Sequence, residues 1–219
     1  MARNKYPQET VDKILDAALR LFVEKGYEHT TIQDIIDQLG GLTKGAIYHH
    51  FKNKEAIFYA IADRLGSQVE EGMAAIRDGA GRTGLEKLRE MFLYSISGSR
   101  QVELNAAAPN MLHNPWLLAE SWRSQVCDVT PHYIYPVIME GVADGSIHTD
   151  HPKELAELAM LACNVWLNPT MYPATQEDVA RRLRFCDTAL RALGLELLDE
   201  ELLERMTRYI QVIARRMEE

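Results

Sequence analysis

The chain has 219 residues, 47% of them apolar, which is enough for a small domain plus a larger one with a sizeable core. Its net charge of −8 argues against a protein coated in nucleic acid or lying on an anionic membrane. The charge is uneven, because residues 1–65 carry nine Lys/Arg and nine Asp/Glu; the whole −8 falls on the remainder, so a polyanionic partner is expected only at the N-terminal part.

Nearly every segment has the period of a helix, and none alternates like a strand. Helix one is expected from about Thr10 to Lys25, with Ile14, Leu15, Ala18, Leu21 and Phe22 as one apolar stripe and Gly26 as its terminator. Helix two opens at Thr31 with Asp34 three residues on, a capping-box pattern, and repeats Ile32, Ile35, Ile36 and Leu39 before Gly40-Gly41. Helix three is short, capped by Thr43, with Ile47 and Phe51 as its buried side. Asn53 caps helix four, which runs through Ile57, Ile61 and Leu65 towards Ile76. The run Asp78 to Gly84 is the clearest break, and a second domain follows it.

Further helices are predicted at about 85–97, 101–108, 115–126 and 131–144, the last ended by Gly145-Ser146. A helix at 152–167 carries Leu155, Ala159, Ala162, Cys163 and Trp166. Another opens at Thr175, with Asp178 completing a capping box, and carries Val179, Leu183, Cys186, Leu190 and Leu193 before Gly194; a final helix covers about 199–217. The uncharged stretch from Leu158 to Gln176 is broken by Asn164, Asn168, Pro169 and Pro173, so it reads as a buried helix and a loop rather than a membrane span. The N-terminal MARNKYPQET lacks the apolar run of a secretory leader. Cys127, Cys163 and Cys186 are too few and too scattered for a disulfide framework and are expected as reduced thiols, the last two buried, in a cytoplasmic protein.

Residues 31–54 carry the functional signal. Two short helices with a glycine turn, braced by an apolar first helix, make a helix-turn-helix. From Thr43 to Lys54 there are three lysines, two histidines, one tyrosine and no acid, a composition suited to DNA. If Ile47 and Phe51 face inward, Lys44, Tyr48 and His49 project outward, His49 rather than His50 being the favoured DNA-facing ring. Thr43 and Gly45 would set the start of helix three near a phosphate or groove edge, and Lys54 would reach a second phosphate. Lys52 reads equally well as a solvated loop charge.

The run Gly26-Tyr27, Thr30-Thr31-Ile32 and Thr43 through Glu55 (TKGAIYHHFKNKE) resembles the signature of the tetracycline-repressor (TetR) family of regulators. The likeness covers about residues 8–60; beyond it the chain is similar only in length and helical pattern. The resemblance implies an all-α fold: an N-terminal three-helix DNA-binding domain over residues 1–52, then a helical ligand-binding and dimerisation domain over 53–219 joined by helix four. It further implies a homodimer on a palindromic duplex, with Tyr48 and Lys54 on phosphate and Thr43, Lys44, Gly45 and His49 at the groove. Thr31, Gln33, Ala46 and Lys52 complete the expected DNA-binding set. Two departures stand out. The turn Gly40-Gly41-Leu42 is one residue longer than the usual form, and Gln33 stands where many members have a basic residue.

No catalytic motif or compact metal pattern is present, and His113, His132, His148 and His151 read as solvated or wall residues, so neither enzyme activity nor a cofactor is expected. Met91, Tyr94, Met111, Trp116, Trp122, Tyr133 and Trp166, with Asn110, His113 and Asn164 as polar anchors, suit an apolar pocket for an aromatic or amphiphilic inducer. A dimer interface is expected from Leu155, Ala159, Cys163, Val179, Leu183, Cys186 and Leu190, on the two helices where the resemblance also places it. A ligand favouring wrongly spaced reading heads would release DNA. Alternatives are the same build signalled by a protein partner or by thiol oxidation, an activator, or an enzyme fused to a vestigial head.

Overall fold

The computed structural model describes residues 7–41, 43–98 and 114–218. Among them every regular element is a helix: α1 (Pro7–Lys25), α2 (Ile32–Leu39), α3 (Lys44–His50), α4 (Lys54–Asp78), α5 (Gly84–Ser97), α6 (Pro115–Ser124), α7 (Tyr135–Asp144), α8 (Pro152–Leu161), α9 (Gln176–Ala192) and α10 (Glu200–Glu218). Two wide π-helical segments, Gln125–Ile134 and Ala162–Trp166, join α6 to α7 and prolong α8. The all-α expectation therefore holds. None of the described helices is long and apolar enough to cross a membrane. The described residues fall into two compact units, one up to Gln68 and one from Val69 onward. The division lies inside α4, further along than the boundary expected between residues 52 and 53.

In the first unit α1 buries Ile14, Leu15, Ala18, Leu21 and Phe22, the stripe predicted from its spacing. It begins at Pro7 rather than Thr10, because a proline at the first helical position brings a preset φ and an acid, Glu9, follows in the first turn. Gly26 ends it in the left-handed region, at φ 84°. Phe22, Tyr27 and Phe58 then pack as a triad, with ring centroids 5.2, 5.3 and 5.9 Å apart. Arg64 of α4 donates to Asp16 of α1 at 2.7 Å, and Ile35, Ile47, Ile57 and Ile61 close the core with no exposed surface.

The second unit has its own core, drawn from Met91 and Leu88 on α5, Val137 and Ile138 on α7, Leu155 and Ala159 on α8, Leu183 on α9, and Leu202 and Met206 on α10. α5 and α7 touch backbone to backbone, since a Cβ on Gly84 would lie 2.2 Å from the Gly141 nitrogen and 2.5 Å from the Val137 oxygen. Beside this crossing Lys87 is 4% exposed. Its ammonium is nonetheless satisfied, donating to both Glu140 carboxylate oxygens at 2.7 Å and to the Arg77 carbonyl at 2.9 Å.

The largest departure from expectation lies between residues 115 and 144. Two helices separated near Pro131 were predicted; the backbone is instead helical throughout, widened over Gln125–Ile134. A proline in an ordinary helix loses its N–H bond and strikes the carbonyl four residues back. A wider turn relieves that clash, and the bonds shift register accordingly: Tyr135 N–H reaches back to Thr130. His132 Nδ1 sits 2.9 Å from the Asp128 carbonyl oxygen, on the same widened segment. The second widening, after α8, is closed by Leu167 N–H on the Ala162 carbonyl at 2.8 Å. The helix expected at 101–108 lies outside the described residues.

Candidate nucleic-acid interface

The first unit presents α3 through a series of local locks. Thr31 and Asp34 cap α2 reciprocally: Asp34 N–H donates to Thr31 Oγ1 at 3.1 Å, and Thr31 N–H donates to the Asp34 carboxylate at 2.8 Å. The same carboxylate accepts from Lys25 Nζ at 2.9 Å, tying the start of α2 to the end of α1. The Thr31 hydroxyl first, then Lys25, hold the Asp34 carboxyl well below the usual carboxylate range. Behind the lock Thr30 is buried, its hydroxyl donating to Gly26 at 2.8 Å and Leu21 at 3.2 Å. Lys25 is no part of the expected DNA-binding set; its place as the last residue of α1, nine before Asp34, is the only sequence signal for this bond.

Gly40 and Gly41 form the turn with φ of 46° and 118°, values that side chains resist, so both glycines are required by conformation. Thr43 then caps α3, its Oγ1 accepting from Ala46 N–H at 3.3 Å. Ile47 is wholly buried and Phe51 9% exposed, as their spacing predicts. The opposite face carries Thr43, Lys44, Gly45 and His49, all exposed, with Ala46 partly covered. Tyr48 is 46% exposed, and Lys44 Nζ stands 5.9 Å from its ring centroid. His50 is more covered than His49, in line with the choice of His49 as the outward ring. Lys52 is exposed. Gln33 is exposed too, with its amide donating to Asp37 at 2.8 Å.

Lys54 stands differently from expectation. Its ammonium donates to the Tyr27 carbonyl at 2.6 Å and lies 4.2 Å from the centroid of the Tyr27 ring. In the free chain it therefore braces the start of α4 against the segment after α1, and a phosphate would have to compete for it. Burial, followed by the nearby Glu55 and Glu28 charges, drives the Tyr27 hydroxyl far above the ordinary tyrosine range.

The residues expected to line a ligand pocket differ in burial where they are described. Met91 is buried in the core; Tyr94 and Trp116 are 44% and 59% exposed. Trp122, Tyr133, Asn164 and Trp166 are half-buried. Asn164 donates to the Met160 carbonyl at 3.1 Å, and Trp166 meets Phe185 edge-on at 5.7 Å. Asn110, Met111 and His113 lie outside the described residues. An open groove of about 480 Å³ is lined by Arg82, Glu86, Glu140 and Asp144, none of which was among the expected pocket residues. No group of His, Cys, Asp or Glu among the described residues is arranged to hold a metal.

The proposed dimer residues need correction. Leu155, Ala159, Val179, Leu183, Cys186 and Leu190 are all 3% exposed or less, packed into the core of their own chain. The periodicity marked the buried stripe of each helix correctly, but that stripe is filled by this chain's neighbouring helices. Cys163 is partly covered and its thiol is driven up by burial. Leu193, expected on the same stripe, caps the end of α9 and is 44% exposed. The apolar side chains that these helices leave outward are Leu158, Leu161 and Phe185, 45%, 42% and 65% exposed.

Comparison with known proteins places this geometry in context. Residues 14–61 match the profile described as "Bacterial regulatory proteins, tetR family". An HTH-type transcriptional repressor of Mycobacterium tuberculosis is 39% identical over 79 residues, 36% of this chain and 38% of that protein. The chain thus spans under two fifths of that relative's length in the match. A longer likeness, 24% over 193 residues, covers 80% of this chain and 87% of the repressor KstR2 of Mycolicibacterium smegmatis. Among solved structures, a TetR-family regulator of Pectobacterium atrosepticum superposes with a TM-score of 0.63 at 22% identity, covering 89% of this chain and 98% of its own; this likeness speaks for the fold alone. The named relatives are regulators, not enzymes.

Proposed function

We propose that this chain, whose residues 14–61 match the profile of the tetR family of bacterial regulatory proteins, is a cytoplasmic transcriptional repressor of that family. In this reading it grips a palindromic operator as a homodimer and is released by a small aromatic or amphiphilic molecule. The observation that carries the DNA reading is the exposed face of α3: Lys44, Tyr48 and His49 stand outward, in a run from Thr43 to Lys54 that contains no acid. Lysine and tyrosine supply phosphate contacts, which fix register, while the remaining side chains of α3 reach base edges. Thr31, Gln33, Thr43, Gly45, Ala46, Lys52 and Lys54 surround this face in sequence and complete the proposed set.

Repression is favoured over activation because both mycobacterial relatives are named repressors. Dimerisation is proposed through the outward side of α8 and α9, where Leu158, Leu161 and Phe185 are exposed in the single chain. Such a patch is what an isologous interface covers.

The deciding experiment is selection of binding sites from a random duplex pool, followed by anisotropy titration of the full chain. A palindromic consensus is expected. Tyr48→Ala should weaken it about tenfold or more, on the scale of one lost phosphate or base contact, without loss of folding, because the ring is 46% exposed. No enriched duplex, or full affinity in Tyr48→Ala, would overturn the reading.

A further inference from the structure

The short helix α3 ends on a pair of titratable rings, His49 and His50. His49 is exposed and His50 partly covered, with the two imidazoles edge-on and their centroids 5.1 Å apart. Histidine is the side chain whose charge changes between pH 5 and 8. A neutral ring offers one donor and one acceptor, whereas a protonated ring offers two donors and a positive charge. Duplex DNA presents phosphate oxygens that accept hydrogen bonds and are negative, so it discriminates between the two forms.

The surroundings of the pair are poor in anionic charge. On their own segment the charged neighbours are Lys44 and Lys52, both exposed, and the run from Thr43 to Lys54 has no acid. The carboxylates of the adjoining elements have other partners. Asp34 of α2 accepts from Lys25 at 2.9 Å and from Thr31, and Asp37 accepts from the Gln33 amide at 2.8 Å. Glu55, in the first turn of α4, lies beside Tyr27, and the Lys54 ammonium is on the Tyr27 carbonyl at 2.6 Å. A duplex laid against α3 would therefore supply the negative charge that this face lacks. Two charged rings at 5.1 Å repel each other, so the pair accepts one added proton more readily than two. His49, the more exposed ring, is the one a duplex can reach.

We propose that each head binds duplex DNA with His49 as the imidazolium and takes up one proton from solvent as it binds, which makes operator affinity a function of pH. The inference rests on the regulator reading above. Its direction follows from linkage. A group protonated more readily in the complex than in the free chain adds affinity at low pH, and that gain is lost as pH rises through the range where the complexed ring gives up its proton. Full uptake of one proton changes affinity about tenfold per pH unit for each head.

The test is anisotropy titration of the selected operator duplex with full-length wild type, His49→Gln, His49→Lys and His50→Gln at pH 6, 7 and 8 and constant ionic strength, with circular dichroism at each pH to verify equal helix content. Wild-type affinity should be about tenfold or more tighter at pH 6 than at pH 8. His49→Gln keeps a hydrogen-bonding side chain that cannot be charged, and should flatten that ratio to within about twofold. His49→Lys should flatten it too, because its charge is permanent over this range. His50→Gln should retain the wild-type ratio. A selected duplex bound equally at pH 6 and pH 8, or a ratio that survives in His49→Gln, overturns the proposal and leaves the regulator reading standing. A wild type that selects no duplex overturns the regulator reading, and this inference falls with it.

Discussion

At the scale of single residues, the three cysteines separate by environment. Cys127 is exposed on the wide helical segment, Cys186 is buried, and Cys163 is partly covered. Burial pushes the Cys186 thiol up to about 11 and the Cys163 thiol higher still, so neither holds appreciable thiolate near neutral pH. Only thiolate attacks a disulfide reagent, which leaves Cys127 as the reactive group. Titration of the native protein with an aromatic disulfide at pH 8 should therefore modify Cys127 quickly, with Cys163 and Cys186 reacting only after denaturation. Rapid modification of Cys186 in the native state would reopen the thiol-oxidation alternative. The residue scale also shows where inference from sequence falls short. Lys54 sits where a phosphate contact was expected, yet its ammonium spans to the Tyr27 carbonyl at 2.6 Å. A partner 27 residues away along the chain leaves no trace in local spacing.

At the scale of elements, the glycines at the α5–α7 crossing set how closely two helices approach. Gly84→Ala would drive a methyl into the Gly141 backbone at 2.2 Å, and backbone cannot swing aside as a side chain can. Overpacking of this kind costs about 2 kcal/mol or more, to be read as a fall in the midpoint of denaturant unfolding with little change in slope. The outward side of α8 and α9 carries a different expectation. Phe185→Glu, at a position 65% exposed in the single chain, should leave folding intact and convert a dimer to monomer in sedimentation at micromolar concentration. An unchanged sedimentation coefficient would move the interface elsewhere. The two cases explain what was legible. Caps and stripes announce themselves locally: Thr31, Thr43, Asn53 and Thr175 all cap as predicted, and Ile14, Ile35 and Ile47 are buried as predicted. Periodicity says which face of a helix is covered, but not whether its own chain or a second copy covers it, which is why Leu183 and Leu190 were misplaced at an interface. Pro131 misled for a related reason. Proline ends most helices, whereas here a wider turn carries the helix past it.

At the scale of the whole molecule, charge placement governs how a protein with net charge −8 can hold a polyanion. The first 65 residues sum to zero, so attraction must come from their arrangement and not their total. On the α3 side Lys44 and Lys52 are exposed, whereas Lys54 is held by backbone carbonyls. Among the described residues on that side few cations are then free to displace counterions, and the logarithm of affinity should fall with the logarithm of salt at a shallow slope, roughly −0.9 for each phosphate neutralised. Gln33 offers a direct check. It is exposed at the start of α2 and engages only Asp37, at 2.8 Å, among the contacts described for its amide. If that position faces phosphate, Gln33→Lys adds one neutralised phosphate per head. A dimer should then bind its operator more tightly at low salt, with a slope steeper by about 2 and an unchanged consensus, since phosphate contacts carry no sequence information. A steeper slope with a changed consensus would place residue 33 against bases instead. An unchanged slope would mean that α2 stands away from the backbone and that α3 alone makes the grip.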